Sequence, residues 1–531
     1  MVHADGIQKY RQTQFGGYDH TLGADNGALW DMENLTGELY PLLSPRRRRW
    51  IAGHLCKPNG LYCHDGICWV DGDGFYADGE RRGTVTDSRK TFASLGAYIV
   101  ILPDKAYYNR LTGEFGSLES SWSGGAVIRD GSFAEEEARA NTIYAAGADW
   151  ASRFRVGDAV AVSGCAAHPG NNKTPIIREI DGDELRFYEN TFTIAGGGDT
   201  ETITVSRTVP ELDFICENEN RLWGCKGDTI YASKLGDIFN WNVFDGLATD
   251  SYAADVGSAG DFTGCCAYLG YPVFFKEEHI YKVYGSKPAN FQVMGSASLG
   301  IEAGSGNSAA IAGETLFYLS RTGITAYTGG IPQSVAASFG TQRFRSAVGG
   351  SDGSRYFVSM EDQEGRWHLF VYDTRRGLWH RQDGLEAVGF GWNGELYFLD
   401  ANGTLWIDGG ARAVPEGCTR EEPVAWSAEW ADFYEYSGSS NSSAPIPQEK
   451  GIGKLLIRLE LDEDSSVDIL IQMDSDGVWR PVKRLEAHVK RSWYLPIVPR
   501  RCDHFRIRME GVGGCRVYSL TREVYTGSEL R

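Results

Sequence analysis

The chain has 531 residues, among them 66 glycines, 15 tryptophans, 26 tyrosines and 24 phenylalanines, and carries a formal charge of −19. That length is too great for one compact core and points to about two to four domains. The acidic balance excludes a general nucleic-acid binder, because neutralising phosphates takes a basic surface, and the glycine and aromatic content suits a turn-rich all-β protein over a helical one.

Residues 1–50 are polar and irregular, with Pro41 and Pro45 disfavouring helix. Embedded Trp30, Leu35, Tyr40, Leu42 and Leu43 gain by burial, so an extended N-terminal arm lying on another surface is expected. The arm ends in Arg46, Arg47, Arg48 and Arg49. Four arginines in an acidic chain read first as a solvated or carboxylate-pairing loop, and second as a docking or phosphate contact.

From Gly60 a cadence of short strands and Asp-Gly turns begins, at 61–63, 67–70 and 75–77, followed by an apolar strand at 97–102 that returns at 106–109. The Asp71-Gly72-Asp73-Gly74 turn lacks the distal glutamate of a calcium loop. Between 116 and 207 the pattern changes to strands near 154–162, 173–180, 184–188 and 202–206, which reads as a small β-barrel inserted between blades. Gly196-Gly197-Gly198 lacks the Lys-Ser/Thr and helix of a phosphate loop and reads as a loop tip. The cadence resumes at 214–217, 221–225 and 229–233, with turns supplied by Asn, Gly and Asp, and continues through hairpins at 268–284, 315–327, 355–372 and 387–407. The expected architecture is an all-β β-propeller of about seven blades over 51–115 and 208–415, with the inserted barrel at 116–207. A Ser/Gly/Asn loop at 437–443 and period-two strands at 456–461 and 505–509 predict a C-terminal β-sandwich over 416–531 that also takes a strand from 424–429.

Chemistry is sparse. The eleven cysteines follow no regular framework, which predicts free thiols in a reducing compartment, and Cys63 and Cys68 have no second pair at zinc-finger spacing. The N-terminus lacks an apolar signal core and no apolar run reaches the roughly 18 residues of a span, so neither export nor membrane insertion is expected. The ten histidines form no metalloprotease motif, and no nucleophile elbow occurs. His368 and His380 follow tryptophans and read as packing or hydrogen-bonding residues. Paired carboxylates for glycoside hydrolysis are recognised in space rather than in sequence, and Trp241, Trp379 and Trp392 are candidate sugar platforms at a channel mouth. On balance no catalytic, cofactor or metal residue is assigned, and a non-enzyme is expected.

The phrases FGGYDH at 15–20, DMENLTGELYPLLSPRRRR at 31–49, IVILPDKAYYN at 99–109, NRLWGCKGDTIYASKLGDIFNWNVF at 220–244 and GYPVFFKEEHIYKVYG at 270–285 together resemble a family of tailed-phage virion proteins. That family is similar to the tail-nozzle (tail tubular) and packaged-DNA-stabilisation proteins of short-tailed phages. The resemblance implies a structural ring in a bacteriophage tail or neck, assembled in the bacterial host cytoplasm from copies of the chain. It implies contacts with portal, adaptor or tail components and packaged DNA passing without sequence-specific binding, so that the genome is retained and then released at ejection. No cofactor is implied. A receptor- or glycan-binding virion protein and a propeller-type glycoside hydrolase stand as alternatives.

Overall fold

The computed structural model describes residues 7–21, 27–131, 139–188, 191–194, 200–409, 414–433, 450–498 and 500–526. The glycine triplet at 196–198, most of the polar stretch at 135–139 and the loop at 437–443 lie outside these residues. Their secondary structure is β-strand with five single-turn 3-10 helices, and no helix among them is long and apolar enough to cross a membrane. The chain forms two compact units, residues 62–306 and residues 1–61 with 307–531.

The expected all-β propeller class is what the sheets show. Six four-stranded antiparallel sheets and one of five strands have the meander order of propeller blades. Residues 62–306 carry four of them. The first has Ile67–Asp71, Gly74–Ala77 and Glu80–Thr84 after Pro58–Cys63, the strand by which the chain enters the unit; the second runs from Thr91–Leu95 to Phe115–Ser117. The third comprises Phe214–Asn218, Arg221–Lys226, Thr229–Ala232 and Tyr252–Asp255, and the fourth Gly264–Tyr268, Tyr271–Lys276, His279–Tyr284 and Gln292–Ala297. Their middle strands are β-branched and aromatic, and they pack face to face: Trp223, Ile230, Phe274 and Val283 share one cluster.

Between the second and third blades, a six-stranded sheet spans Ser120–Gly131 to Glu201–Arg207. Its two edges meet through Val160 N–H to Pro175 O (3.0 Å), Val162 N–H to Lys173 O (2.8 Å) and Ile177 N–H to Asp158 O (2.9 Å). The sheet is thus a closed small barrel, filled by Trp150, Phe154, Phe187, Ile143 and Val205.

The other unit carries three blades. The last pairs Ala387–Trp392, Leu396–Asp400 and Thr404–Asp408 with Trp50–His54, so that the strand completing it comes from the far end of the chain. The turn glycine Gly403 has φ +93°, and a Cβ there would overlap the carbonyl of Leu55 just beyond the incoming strand. The C-terminal sandwich has two five-stranded sheets. Lys450–Leu461 and Cys515–Thr526 centre one, and Phe505–Val512 lies between Ala425–Trp430 and Ser466–Met473 in the other. Alternate residues Leu455, Ile457 and Leu459, and Phe505, Ile507 and Met509, fill the space between them.

The N-terminal arm is woven into these sheets. Ile7–Gln12 pairs with Cys515–Thr526, and Leu29–Glu33 pairs with Ala425–Trp430. The surface on which the expected arm lies is therefore its own chain, and its apolar residues Leu35 and Leu43 are buried there.

Candidate functional site

The four arginines divide in two. Arg46 and Arg49 are buried. Arg46 grips Glu421 with both terminal nitrogens (2.7 and 2.8 Å) and takes Asn34 Oδ1 on Nε at 2.7 Å. Arg49 donates to Asp383 Oδ2 and Gln382 Oε1, each at 2.5 Å. Burial pushes the Asp383 carboxyl up, but Arg49 and Arg46 outweigh it and hold the group below its ordinary range. Glu421 is lowered in the same way, its burial outweighed by the hydrogen bond from Arg46. These two side chains pair with carboxylates inside the fold, as the first of the two readings of the run has it. Arg48 donates to the Glu421 carbonyl, and Arg47 is exposed with its Nε 3.3 Å from Glu38.

The three tryptophans also part. Trp241 and Trp379 are each 2% exposed and belong to blade cores, whereas Trp392 is 51% exposed. His368 bonds Asp362 at 2.8 Å. The loop around Trp241 is a clamp. Asn240 donates to Asp158 Oδ1 (3.1 Å) and accepts from the Ala159 N–H (3.0 Å), binding the third blade to the inserted barrel. Arg207 forms a buried ion pair with Asp158 and lies 4.9 Å from the Phe239 ring.

Among the described residues, Asp474, Asp503 and His504 bring possible metal-ligand atoms within 4.8 Å of one another. Both imidazole nitrogens are engaged, Nδ1 with Asp503 and Nε2 with Ser475 Oγ at 2.8 Å. That arrangement spends the ring on side chains, and no metal is assigned to it.

One carboxyl behaves unlike the rest. Where shifts are resolved among the described residues, the other Asp and Glu carboxyls are held low, as Asp352 and Asp383 are by arginine partners. Glu302 is held above its ordinary value, first by burial and then by the neighbouring charge of Glu277. Its Oε2 is buried without a hydrogen-bond partner.

The loop that carries Glu302 is fixed from several sides. Gly300 N–H donates to Glu277 O (3.0 Å), Ala303 N–H to Glu277 Oε1 (3.1 Å), and Thr263 Oγ1 to Ile301 O (2.8 Å). Gly300 and Gly306 lie so close to Lys276 O and to the Phe214 ring that a Cβ at either would overlap them. The result is a half-buried Glu302 carboxyl, held above its ordinary value, beside an exposed Glu277. Sequence reasoning missed the pair. Glu277 sits in what reads as a polar hairpin turn and Glu302 in an irregular connection, and only burial distinguishes them.

No family model matches the chain, and no curated protein matches it. Solved structures do. An exo-β-1,3-galactanase from Phanerochaete chrysosporium is 9% identical, with a TM-score of 0.22, over 59% of this chain and 95% of its own. PorZ, a surface component of the type-IX secretion system of Porphyromonas gingivalis, is 11% identical with a TM-score of 0.26, over 82% and 70% of the two chains. A glycoside hydrolase is 10% identical with a TM-score of 0.21, over 57% and 96%. Glycoside hydrolases stand in this set, against the expectation of a non-enzyme, but a likeness at these scores carries no activity over to this chain. At these scores the likeness transfers neither substrate nor residues.

Proposed function

We propose that the protein is a propeller-type glycoside hydrolase in which Glu302 is the general acid and Glu277 the paired carboxylate. The observation that carries this reading is the half-buried Glu302 carboxyl beside Glu277, held above its ordinary value and with its Oε2 buried without a hydrogen-bond partner. Such a pair suits cleavage of a glycosidic bond. Glu302 gives its proton to the leaving oxygen as the C–O bond breaks, and Glu277 either deprotonates an attacking water or bonds the anomeric carbon itself. In the second case water then releases the sugar. The acid must be protonated, so activity falls as pH rises through the raised value of Glu302. The test is turnover of a panel of aryl glycosides and polysaccharides. Glu302→Gln should lower kcat by about 10²–10⁴-fold, with activated aryl substrates less affected because their leaving groups need less protonation. A folded protein that turns over none of the panel, or a Glu302→Gln variant as active as the parent, overturns it.

The phage resemblance supports a second reading, a structural component of a tailed bacteriophage tail or neck that helps retain and release the genome. Its phrase at 220–244 contains the Asn240 clamp joining blade and barrel, as a load-transmitting wall requires. On this reading the partners are further copies of the chain and neighbouring virion proteins. Electron microscopy of the purified protein and of particles tests it: rings support it, and a strictly monomeric protein absent from particles overturns it.

A further inference from the structure

A cleft of 340 Å³ opens beside the blade strand Leu378–Arg381, under the segment 35–38. Its size falls in the roughly 300–1,000 Å³ range of small-ligand sites. His380 is 7% exposed and lines this cleft, yet its ring nitrogens have no hydrogen-bond partner among the described residues. Burial lowers the ring's proton affinity to about pH 4, so the imidazole is neutral and offers one donor and one acceptor. Beside it, Gln382 gives its Oε1 to Arg49, which leaves the amide NH₂ for the cleft. The ring nitrogens are not among the buried atoms left without a partner, so they open onto the cleft, where a ligand hydroxyl can take the place of water.

The charges around the ring cancel. Arg355, Arg375 and Arg376 face Glu38, Asp352 and Asp373. Arg355 is gripped by Asp352 (2.6 Å), Asp408 (3.0 Å) and Glu38 (3.3 Å), and Arg376 is paired with Asp373. An ion entering would find most of the opposite charge already taken, whereas a hydroxyl, which donates and accepts at once, matches an imidazole and an amide. Held by ion pairs, these polar walls need little reordering on binding.

We propose that this cleft is a binding site for a short neutral saccharide, with the His380 ring and the Gln382 amide bonding its hydroxyls. The site belongs to a different unit from Glu302 and is read by binding rather than turnover, so its failure and that of the hydrolase reading are told apart.

The test is saturation-transfer NMR and calorimetry on the full chain with galactose, glucose, mannose, lactose and cellobiose, beside galacturonate and inorganic phosphate. At least one neutral sugar should bind at millimolar concentration or tighter. His380→Phe, which keeps a planar ring but removes both nitrogens, should weaken it about tenfold or more. Arg375→Ala, which removes an exposed cation at the rim with no side-chain partner among the described residues, should leave neutral-sugar affinity within about twofold. Should His380→Phe fail to fold, the histidine ring resonances of the wild-type protein serve instead, one imidazole shifting on titration and that resonance being the one absent from His380→Gln. Three results overturn the assignment: no neutral sugar bound by the folded protein, binding of galacturonate or phosphate alone with loss in Arg375→Ala, or neutral-sugar binding unchanged in His380→Phe.

Discussion

Acidification of the wild-type protein beside His380→Phe isolates the energetic cost of a single buried ring. In the folded chain desolvation holds the His380 imidazole neutral down to about pH 4, against 6.5 for a free ring; Asp373 opposes this, and Arg376 and Arg355 reinforce it. The unfolded chain therefore binds a proton between pH 6.5 and 4 that the folded chain refuses, and stability falls as pH falls through that window. Below about pH 4 both states carry the proton and this loss is complete. At 1.36 kcal/mol per pH unit, the span amounts to about 3 kcal/mol. Carboxylates protonate over part of the same range, which is why the comparison is with the variant, in which their contribution persists and the ring's is gone. Urea unfolding at pH 7, 6, 5 and 4 gives the two stabilities directly. His380→Phe should gain on the wild type by about 3 kcal/mol from pH 7 to pH 4. Parallel curves, with a difference constant to about 0.5 kcal/mol, would show that the ring is solvated or already charged, and would refute the reasoning.

Asp383→Asn leaves Arg49, 1% exposed, without its full counter-charge; a loss of about 3–5 kcal/mol in denaturant unfolding is expected, and a change under about 1 kcal/mol counts against a structural role for the pair. Gly403→Ala forces a Cβ into the Leu55 carbonyl at a positive φ, with an expected cost of about 1–3 kcal/mol and faster amide exchange across Trp50–His54; unaltered exchange there contradicts the packing described. Asn240→Ala strips Asp158 and the Ala159 N–H of a partner. It should cost about 1–3 kcal/mol and open the joint near residues 118–120 and 207–210 to limited proteolysis, so an unchanged digest argues against the clamp.

The middle strands of the blades were legible because they are apolar on both faces and bounded by turn residues; Tyr98–Leu102 and Arg221–Lys226 are examples. Outer strands such as Glu80–Thr84 and Gln292–Ala297 were not, since they lie at sheet edges, are largely exposed and need no apolar pattern. Phe344–Ser351 escaped notice for another reason. Its Gly349 and Gly350 look like turn residues, yet they sit in a strand where Ser308 O and the Phe390 ring leave no room for a side chain. Trp50–His54 could not be assigned to the last blade, because a pairing between distant segments leaves no local trace. The inward turn of Arg46 and Arg49 was equally hidden. Four consecutive arginines carry no sign of which face a carboxylate, and the partners Asp383 and Glu421 lie hundreds of residues on. Glu302 and His380 became candidates only through their burial, which composition and spacing do not encode.

The pairing of Trp50–His54 with Thr404–Asp408, and of Ile7–Gln12 with Cys515–Thr526, also sets a timetable. In both pairs the earlier strands are made hundreds of residues before their partners, and must wait for those partners to be made. Until then their apolar side chains and unpaired strand edges are open to other nascent chains, a window that lengthens with slower translation. Closing so long a loop costs entropy that no local contact offsets beforehand. Yields of folded protein should thus depend on chaperones that shield the early segment more than on those acting after release.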